Sequence, residues 1–248
     1  RYRAVIDGRM GDRDRRTGGA SGGGNSSSGR GSKLLTPGEK SQQNTARNEG
    51  SNVRAFVLGV DGAWETNPVT KGWSFVLNGG TPINDMWGMI TFDDSTGKKV
   101  SRWYYFDGQS TMATGWVYDS KNGNWYYMNT NEGPDLGQMV TGWVKDPKTN
   151  KWYYMNDNTG ILVTGWHLDK QDGRWYYLNQ NGEMLTGWQN IGGKWYYFNT
   201  NTPQNTYAWD AAAFKWNYLN NNVRPYGSMY AGEKTPDGYT VDANGAWN

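Results

Sequence analysis

A repeated pairing of a Gly-Trp step with a Trp-Tyr-Tyr step constrains this chain more than any other feature. One copy runs from Thr186-Gly187-Trp188 to Trp195-Tyr196-Tyr197. The pairing recurs with Trp116 before Trp125-Tyr126-Tyr127, Trp143 before Trp152-Tyr153-Tyr154, and Trp166 before Trp175-Tyr176-Tyr177. A period of roughly 20 to 27 residues is typical of stacked supersecondary units rather than of one globular core.

Each copy is predicted to be a β-hairpin. Short aromatic runs flank Gly, Asn and Asp clusters, and Gly192-Gly193 supplies the positive φ that a two-residue turn requires. If this turn closes the hairpin, Trp188 lies opposite Tyr197, and Trp195 lies diagonally across from Trp188. Because side chains alternate along a strand, these three rings share one face and Tyr196 points to the other.

The turn length varies without disturbing this face. The second Trp follows the first by seven residues in the Trp188 copy but by nine in the other three. Two extra residues lengthen the turn to four, as in Lys170-Gln171-Asp172-Gly173, and an even insertion keeps every side chain on its face. In a last copy, Trp209 precedes Trp216-Asn217-Tyr218, so the middle Tyr is lost while the first and third aromatic residues remain.

The copies nearer the N-terminus diverge. Trp64, Trp73 and Phe75 repeat the nine-residue spacing, with Phe in place of the last Tyr. Trp87 and Trp103 are sixteen residues apart, and this excess over seven is odd. The register is therefore expected to break there unless a bulge intervenes, and no complete binding face is predicted for that copy.

Composition indicates how such a chain is organised. Fifteen Trp and seventeen Tyr accompany a hydrophobic content of only 35%, so burial must come from stacked rings rather than a large aliphatic core. The predicted fold is all-β, a solenoid of stacked β-hairpins. Residues 1–54 are predicted to be a flexible Gly/Ser/Arg-rich linker, 55–111 divergent N-terminal hairpins, and 112–248 regular hairpins with a C-terminal cap.

The linker region is basic. Residues 1–50 carry ten Lys/Arg against five Asp/Glu, a net charge of +5. A nucleic-acid-binding arm is one interpretation, but the Gly/Ser tract and the interspersed acidic residues argue against it. A basic tether lying against an anionic cell wall is the other. No nucleic-acid partner is expected.

Several classes of function are disfavoured. The absence of cysteine excludes disulfides, zinc-thiolate sites and a thiol nucleophile. No apolar run approaches the roughly 20 residues needed to cross a bilayer, so the chain is not expected to be transmembrane. The chain begins at Arg1 without an initiator Met or a signal peptide, which predicts a fragment or a processed form.

No catalytic residue, metal site or cofactor is expected. The single histidine, His167, occupies a position held by Val117, Val144 and Gln189 in the sister copies, and it is predicted to face solvent. Neither a Ser-His-Asp set nor a carboxylate pair is indicated, so any enzymatic domain would lie upstream. Asp169, Asp172 and Gly173 only faintly resemble a calcium loop, and a hairpin turn explains them better.

The order T-G-W, a short polar turn, W-Y-Y-[LMF]-N and G-x-M-x-T-G-W resembles the choline-binding, or cell-wall-binding, repeats of Gram-positive surface proteins. The resemblance covers roughly residues 55–248. The run from Gly227-Ser228-Met229 to Asn244-Gly245-Ala246-Trp247 also resembles the closing segment of such arrays. The resemblance implies a secreted, cell-surface protein whose non-catalytic array attaches it to the cell wall.

The resemblance further implies that choline lies between consecutive repeats. Two aromatic residues of one hairpin and one of its neighbour would hold it, with Met or Leu completing the wall. Aromatic rings suit a quaternary ammonium because its diffuse charge is attracted to π faces and is easily desolvated. The residues expected to bind choline are Trp116, Trp125, Tyr127, Met139, Trp143, Trp152, Tyr154, Leu162, Trp166, Trp175, Tyr177, Met184, Trp188, Trp195, Tyr197, Trp209, Trp216 and Tyr218.

Two matters stay open at the level of sequence. The first is which Tyr partners which Trp across a seam, which is the contact between two consecutive hairpins. A structural role is assigned to the middle residues Tyr126, Tyr153, Tyr176 and Tyr196. The second is the function of the rings, which also suit a hairpin-joining core. Besides multivalent attachment to choline on teichoic acids, the pattern allows a glycan-binding array of the glucan or toxin-receptor type and a structural spacer with empty cages. A homodimer is also left open.

Overall fold

The computed structural model describes residues 53–201, 207–210, 215–218 and 224–247, and all regular structure in these ranges is β. The all-β class is therefore confirmed. Residues 1–52 lie outside the described ranges, so the linker stays a prediction. The strands are β1 (Val53–Val57), β2 (Gly62–Thr66), β3 (Trp73–Leu77), β4 (Met86–Asp93), β5 (Lys99–Phe106), β6 (Gly115–Asp119), β7 (Asn124–Met128), β8 (Gly142–Lys145), β9 (Trp152–Met155), β10 (Gly165–Asp169), β11 (Arg174–Leu178), β12 (Gly187–Ile191), β13 (Lys194–Phe198), β14 (Tyr207–Asp210), β15 (Lys215–Tyr218) and β16 (Ala246–Trp247).

Consecutive strands from β2 to β15 pair as antiparallel hairpins. Two further strands extend these small sheets: β1 runs parallel to β4, and β16 runs antiparallel to β13. The described residues contain no helix that is long and apolar enough to span a membrane.

The predicted register is confirmed in the hairpin of β12 and β13. Trp188 lies opposite Tyr197, and Asn190 lies opposite Trp195, which places the second Trp diagonally across from the first. The turn residues Gly192 and Gly193 have φ values of 60° and 83°, a left-handed conformation that favours glycine. In the hairpin of β10 and β11, the four-residue turn likewise keeps Trp166 opposite Tyr177.

The expected break in register at Trp87 is wrong. Pairing between β4 and β5 is continuous from Met86 and Phe106 to Asp93 and Lys99, and it places Trp87 opposite Tyr105. The strands are longer than in the regular copies, and the turn of residues 94–98 contains an odd number of residues. The turn therefore absorbs the odd residue, and no bulge is needed.

The position expected for Trp209 is also wrong. Trp209 lies directly opposite Trp216, and Tyr207 takes the place opposite Tyr218 that the first Trp holds in other hairpins. Trp209 takes the first-Trp position in the prediction because it is the only Trp in β14. Counted from Tyr207, the spacing to Trp216 is the nine residues that are typical of a four-residue turn.

The hairpin of β14 and β15 is an insertion within a repeat. In the preceding repeat, the end of the hairpin at Leu178 forms a bridge with Met184, six residues later. The corresponding residue Phe198 forms its bridge with Met229, and the whole β14–β15 hairpin lies between the two. Met229, not a residue of that hairpin, therefore closes the repeat of β12 and β13.

The described chain forms two compact units. The first contains residues 53–140 and 159–161 and strands β1 to β7; the second contains residues 141–158 and the described residues after 161, with strands β8 to β16. Phe75, Trp87, Phe106 and Tyr126 are among the fully buried side chains of the first unit, and Tyr176 is fully buried in the second. Aromatic rings dominate both cores, as composition predicts.

The same backbone hydrogen bond recurs between consecutive hairpins within each unit. The N–H of Met139, which follows one hairpin, donates to the carbonyl of Trp103 in the hairpin before it, at 2.8 Å. In the second unit, Met184 makes the same bond to Trp152, also at 2.8 Å. The next residue returns to its own hairpin, as when the N–H of Leu185 donates to the Tyr177 carbonyl. This bond confirms that the hairpins stack in sequence order inside each unit.

Candidate functional site

Three rings on one face form a common arrangement in the hairpins that begin at Gly115, Gly142 and Gly165. In the hairpin of β10 and β11, the Trp166 ring lies 5.1 Å from Tyr177 and 6.2 Å from Trp175, with interplanar angles of 76° and 86°. The corresponding distances from Trp143 are 5.1 Å to Tyr154 and 6.4 Å to Trp152. Perpendicular rings at these separations are favourable edge-to-face pairs, and they present faces in different directions.

The ring that the neighbouring hairpin contributes is its middle Tyr. Tyr196 lies 4.8 Å from Trp166, and Tyr176 lies 4.7 Å from Trp143 in the hairpin before it. In the first unit, Tyr126 makes the same contact with Trp87 at 4.7 Å. These contacts are consistent with the structural role expected for the middle Tyr. They also place its ring beside the first Trp of the preceding hairpin. Side-chain alternation places this Tyr on the second face of its own hairpin, but it does not show that this face covers the first face of the preceding hairpin.

An aspartate from the next hairpin caps the indole of the first Trp. The Nε1 atom of Trp143 donates to Oδ2 of Asp169 at 2.7 Å, and that of Trp87 donates to Asp119 at 2.8 Å. Both carboxylates are buried at the end of a strand, where the other oxygen accepts a turn N–H. This role of the aspartate is not among the predictions from the sequence. The available signal was an Asp three residues after the Gly-Trp tryptophan, at Asp119, Asp146 and Asp169.

The seam at Trp166 is more open than its counterpart at Trp143. Trp166 and Trp175 are 38% and 42% exposed, whereas Trp143 is 2% exposed. At the position of the capping aspartate, the next hairpin has Ile191, whose side chain cannot accept a hydrogen bond. That hairpin also has the two-residue turn, so it covers less of the preceding Trp. We therefore attribute the opening to the shortened turn and the missing carboxylate.

The apolar closing residues pack against glycines of the next turn. A Cβ atom added at Gly182 would lie 2.6 Å from Leu162, and one added at Gly227 would lie 2.4 Å from Met184. In the first unit, Gly160 stands in the same relation to Met139 at 2.5 Å. This packing joins successive repeats. A further role of these side chains as cage walls stays a prediction.

The predicted ligand residues differ in accessibility. Those that are buried are Trp125, Tyr127, Met139, Trp143, Tyr154, Leu162 and Tyr197. Those that are half-buried are Trp116, Trp152, Tyr177, Met184 and Trp188, and those that are exposed are Trp166, Trp175 and Trp195. Trp209, Trp216 and Tyr218 lie on β14 and β15, described above by their pairing. Accessibility ranks the seams, and ligand binding at each of them stays a prediction.

The expectation that His167 faces solvent is wrong. Its ring lies 3.8 Å from Tyr154 and 5.9 Å from Trp143, both in the preceding hairpin. Its Nε2 atom is buried and has no hydrogen-bond partner among the described residues. The physical reason is register: His167 lies opposite Tyr176, the middle Tyr, and shares the face that covers the previous hairpin.

Burial lowers the pKa of His167 below its ordinary value of 6.5, although Asp169 and Asp157 act in the opposite direction. The unfolded chain therefore takes up a proton more readily than the folded one as the pH falls through that value. We expect the melting temperature to fall between about pH 7.5 and pH 5.5. A His167→Val variant, which copies Val117 and Val144, should lose this component.

The measurement is the melting temperature of both proteins at several pH values across that window. Other titrating groups are common to the two, so the difference between the curves isolates His167. If the melting temperatures of the two proteins change in parallel from neutral to mildly acidic pH, the lowered pKa of His167 is contradicted.

The turn interpretation of Asp169, Asp172 and Gly173 is confirmed. The Gly173 N–H donates to the Asp169 carbonyl at 2.8 Å, and Tyr176 donates its hydroxyl to Asp172 at 2.5 Å. Burial raises the pKa of Asp172, although the hydrogen bonds from Tyr176 and Arg174 lower it. Within the described ranges, no group of three or more His, Asp or Glu side chains is placed to hold a metal ion.

Comparison with known proteins identifies the repeats. Residues 96–134 and 163–205 match the family model of a choline-binding repeat, and residues 141–161 match that of a cell wall binding repeat. These segments contain the rings of the Trp166 seam. Among curated proteins, none matches the chain.

Several solved structures are similar to this chain. Choline binding protein F from Streptococcus pneumoniae is 32% identical, with 75% of this chain and 47% of that chain covered and a TM-score of 0.49. The choline-binding domain of another Streptococcus pneumoniae protein is 32% identical, with 44% and 95% covered and a TM-score of 0.28. A pneumococcal cell wall endolysin from phage Cp-1, solved with choline, is 34% identical, with 58% and 36% covered and a TM-score of 0.37. The chain thus spans about half the length of the first of these proteins.

Proposed function

We propose that this chain, which belongs to the family of proteins built from choline-binding repeats, is a non-catalytic module that attaches to cell walls by binding choline groups. Repeats of this family are binding modules, and the family models match segments on both sides of the most open seam. The partner we propose is a choline-decorated teichoic acid at the bacterial cell surface. The protein would then act outside the cell, held by its array.

The observation that carries this proposal is the ring geometry at Trp166. Trp166 and Trp175 of one hairpin lie at 86° to each other, and Tyr196 of the next hairpin lies at 73° to Trp166. Two of these rings are partly exposed, so a ligand can reach them. Several π faces turned in different directions suit a trimethylammonium group, which is roughly spherical and has no hydrogen to donate.

The expected strength of one such site explains why the rings are repeated. Each cation–π contact contributes roughly 0.5 to 2 kcal/mol, so three rings supply on the order of 2 to 5 kcal/mol, which corresponds to millimolar binding or weaker. A single site of that strength cannot retain a protein on a surface. Several sites facing a polymer with many choline groups can, because later contacts form at high effective concentration.

A glycan-binding array is the second candidate. The observation that favours it is the exposure of Trp175 and Trp195, 42% each, on consecutive hairpins of the second unit. Flat exposed rings also stack on sugar rings. A structural spacer, in which the rings serve only to join hairpins, would leave both ligands unbound.

The test is a titration of the chain with choline chloride, followed by intrinsic Trp fluorescence and melting temperature. Sodium chloride at the same ionic strength is the control. We expect a saturable millimolar response and a raised melting temperature, with about 1.4 kcal/mol of stabilisation at a choline concentration ten times the dissociation constant.

Two variants at one position sharpen this experiment. Trp175→Phe keeps an aromatic face and should retain most of the response of its seam, whereas Trp175→Leu keeps apolar bulk without a π face and should weaken it. No response beyond the salt control would overturn the choline proposal. A positive glycan array would then favour the second candidate, and silence in both assays would favour the spacer.

A further inference from the structure

Met184 connects three consecutive repeats. It closes the hairpin of β10 and β11, where it forms a bridge with Leu178, and its N–H donates to the carbonyl of Trp152 in the hairpin before. Its side chain contacts the turn that closes the next repeat, since a Cβ atom added at Gly227 would lie 2.4 Å from Sδ and 2.5 Å from Cε of Met184. The thioether therefore fills the space between one repeat and the next.

Met184 is also one of the two more accessible methionines in the described ranges, the other being Met89; both are half-buried. The remaining methionines of these ranges are buried, namely Met86, Met112, Met128, Met139, Met155 and Met229. Because the chain has no cysteine, a peroxide meets no thiol that would react before the thioethers. Oxidation in water is therefore expected first at Met89 and Met184.

These two methionines differ in what they contact. Met89 lies on β4 opposite Trp103 of the same hairpin, and it is not a near contact of any glycine in the described ranges. In the repeat before Met184, the equivalent residue is Leu162, which packs on Gly182 in the same way and has no sulfur. The position therefore needs an apolar side chain that fits over a glycine, and it does not need a thioether.

A sulfoxide fits poorly at this position. Oxidation converts a flexible apolar side chain into a polar, chiral one. Gly227 covers one side of the Met184 sulfur so closely that even a methyl group has no room there. Elsewhere, Met184 packs against the buried cluster that contains Trp143 and Tyr176. An oxygen added to the sulfur must either displace the turn at Gly227 or be buried in this apolar cluster, and burial of a polar atom without a hydrogen bond is unfavourable.

We propose that Met184 is a site of oxidative modification by peroxides, and that its sulfoxide loosens the contact between consecutive repeats. In the reaction, a lone pair of the thioether sulfur attacks one oxygen of hydrogen peroxide and the O–O bond breaks. The oxygen stays on the sulfur, which loses two electrons, and the hydroxide that leaves takes up a proton to give water. This inference concerns the stacking of the repeats and does not depend on the proposed function, since it holds whether or not the seams bind choline.

The test is treatment of the whole chain with hydrogen peroxide, without choline, for increasing times. Mass spectrometry of tryptic peptides gives the extent of oxidation at each methionine, and Met184 is the only methionine of the peptide from Trp175 to Lys194. Thermal unfolding of the same samples gives the melting temperature. We expect Met184 to be oxidised at least several times faster than the buried methionines, and the melting temperature to fall by roughly 4 to 8 °C as it is oxidised.

Three variants assign the effect to Met184. Met184→Leu, which copies Leu162, should melt near the wild-type temperature and keep that temperature after peroxide. Met89→Leu removes the other half-buried methionine and should lose stability with peroxide as the wild type does. Met184→Gln, with a polar end in place of the thioether, should melt at a lower temperature before any treatment. Methionine sulfoxide reductases A and B, which reduce the two sulfoxide epimers, should restore both the mass and the melting temperature of the treated wild type.

Three results would overturn the inference. The first is oxidation of Met184 at no more than the rate of the buried methionines. The second is complete oxidation of Met184 without a change in melting temperature. The third is a Met184→Leu variant that loses as much stability with peroxide as the wild type. Each of them leaves the choline titration of the proposed function untouched, and a failed choline titration leaves the oxidation experiment untouched.

Discussion

Replacement of Trp143 by alanine is expected to lower the free energy of unfolding of the second unit by about 3 to 5 kcal/mol. Trp143 is 2% exposed, and its ring contacts Trp152 and Tyr154 in its own hairpin and His167 and Tyr176 in the next. The substitution therefore removes ring contacts between two hairpins as well as those within one hairpin.

A second effect adds to the destabilisation caused by the lost packing. The indole of Trp143 is the donor to Oδ2 of Asp169, which is buried. Without that donor, the carboxylate oxygen loses a hydrogen bond in a position where water has little access, and this is unfavourable. Trp143→Phe keeps most of the ring but not the N–H, so its smaller destabilisation separates the hydrogen bond from the packing.

The measurement is urea unfolding followed by far-ultraviolet circular dichroism and Trp fluorescence. Trp175→Ala is the matched control, because it removes the same side chain from a position that is 42% exposed. We expect that variant to lose roughly 1 to 2 kcal/mol, in proportion to the smaller area it buries. Equal destabilisation by the two substitutions would contradict the ranking of seams by burial.

Gly182→Ala is expected to destabilise the second unit by about 2 to 4 kcal/mol, a large effect for the addition of one methyl group. Gly182 has a φ of 79°, where an L-residue with a Cβ atom is strained. The added atom would also lie 2.6 to 2.8 Å from three carbons of Leu162, which is itself buried. Either the turn or the Leu162 side chain must move, and both positions join consecutive repeats.

Gly173→Ala is the control that isolates the contact with Leu162. Gly173 has a φ of 67°, but an added Cβ atom there meets nothing within 4 Å. It should show only the conformational penalty, about 1 kcal/mol or somewhat more. Melting temperature and urea unfolding of both variants give the comparison, and a Gly173→Ala effect as large as that of Gly182→Ala would rule out the packing role.

Much of the local structure could be predicted from residue order alone. Gly192-Gly193 indicated a two-residue turn, and the positions of Trp188, Trp195 and Tyr197 indicated their pairing, because turn length and side-chain alternation determine register within a hairpin. The same local rules explain why Asp169 to Gly173 forms a turn. The Trp87 error arose because the parity rule assumed an even turn, and residues 94–98 form an odd one.

Relations between hairpins could not be obtained in this way. The order of residues is enough to predict an all-β repeat and the rings that share a face, since both depend on neighbours within one hairpin. Three features are visible only in the folded molecule: the middle Tyr faces the preceding Trp, His167 lies on Tyr154, and Trp209 belongs to an inserted hairpin. The exposure of the rings at Trp166 is a fourth. These properties depend on which face of one hairpin covers the next, and that contact is made by residues distant in the chain.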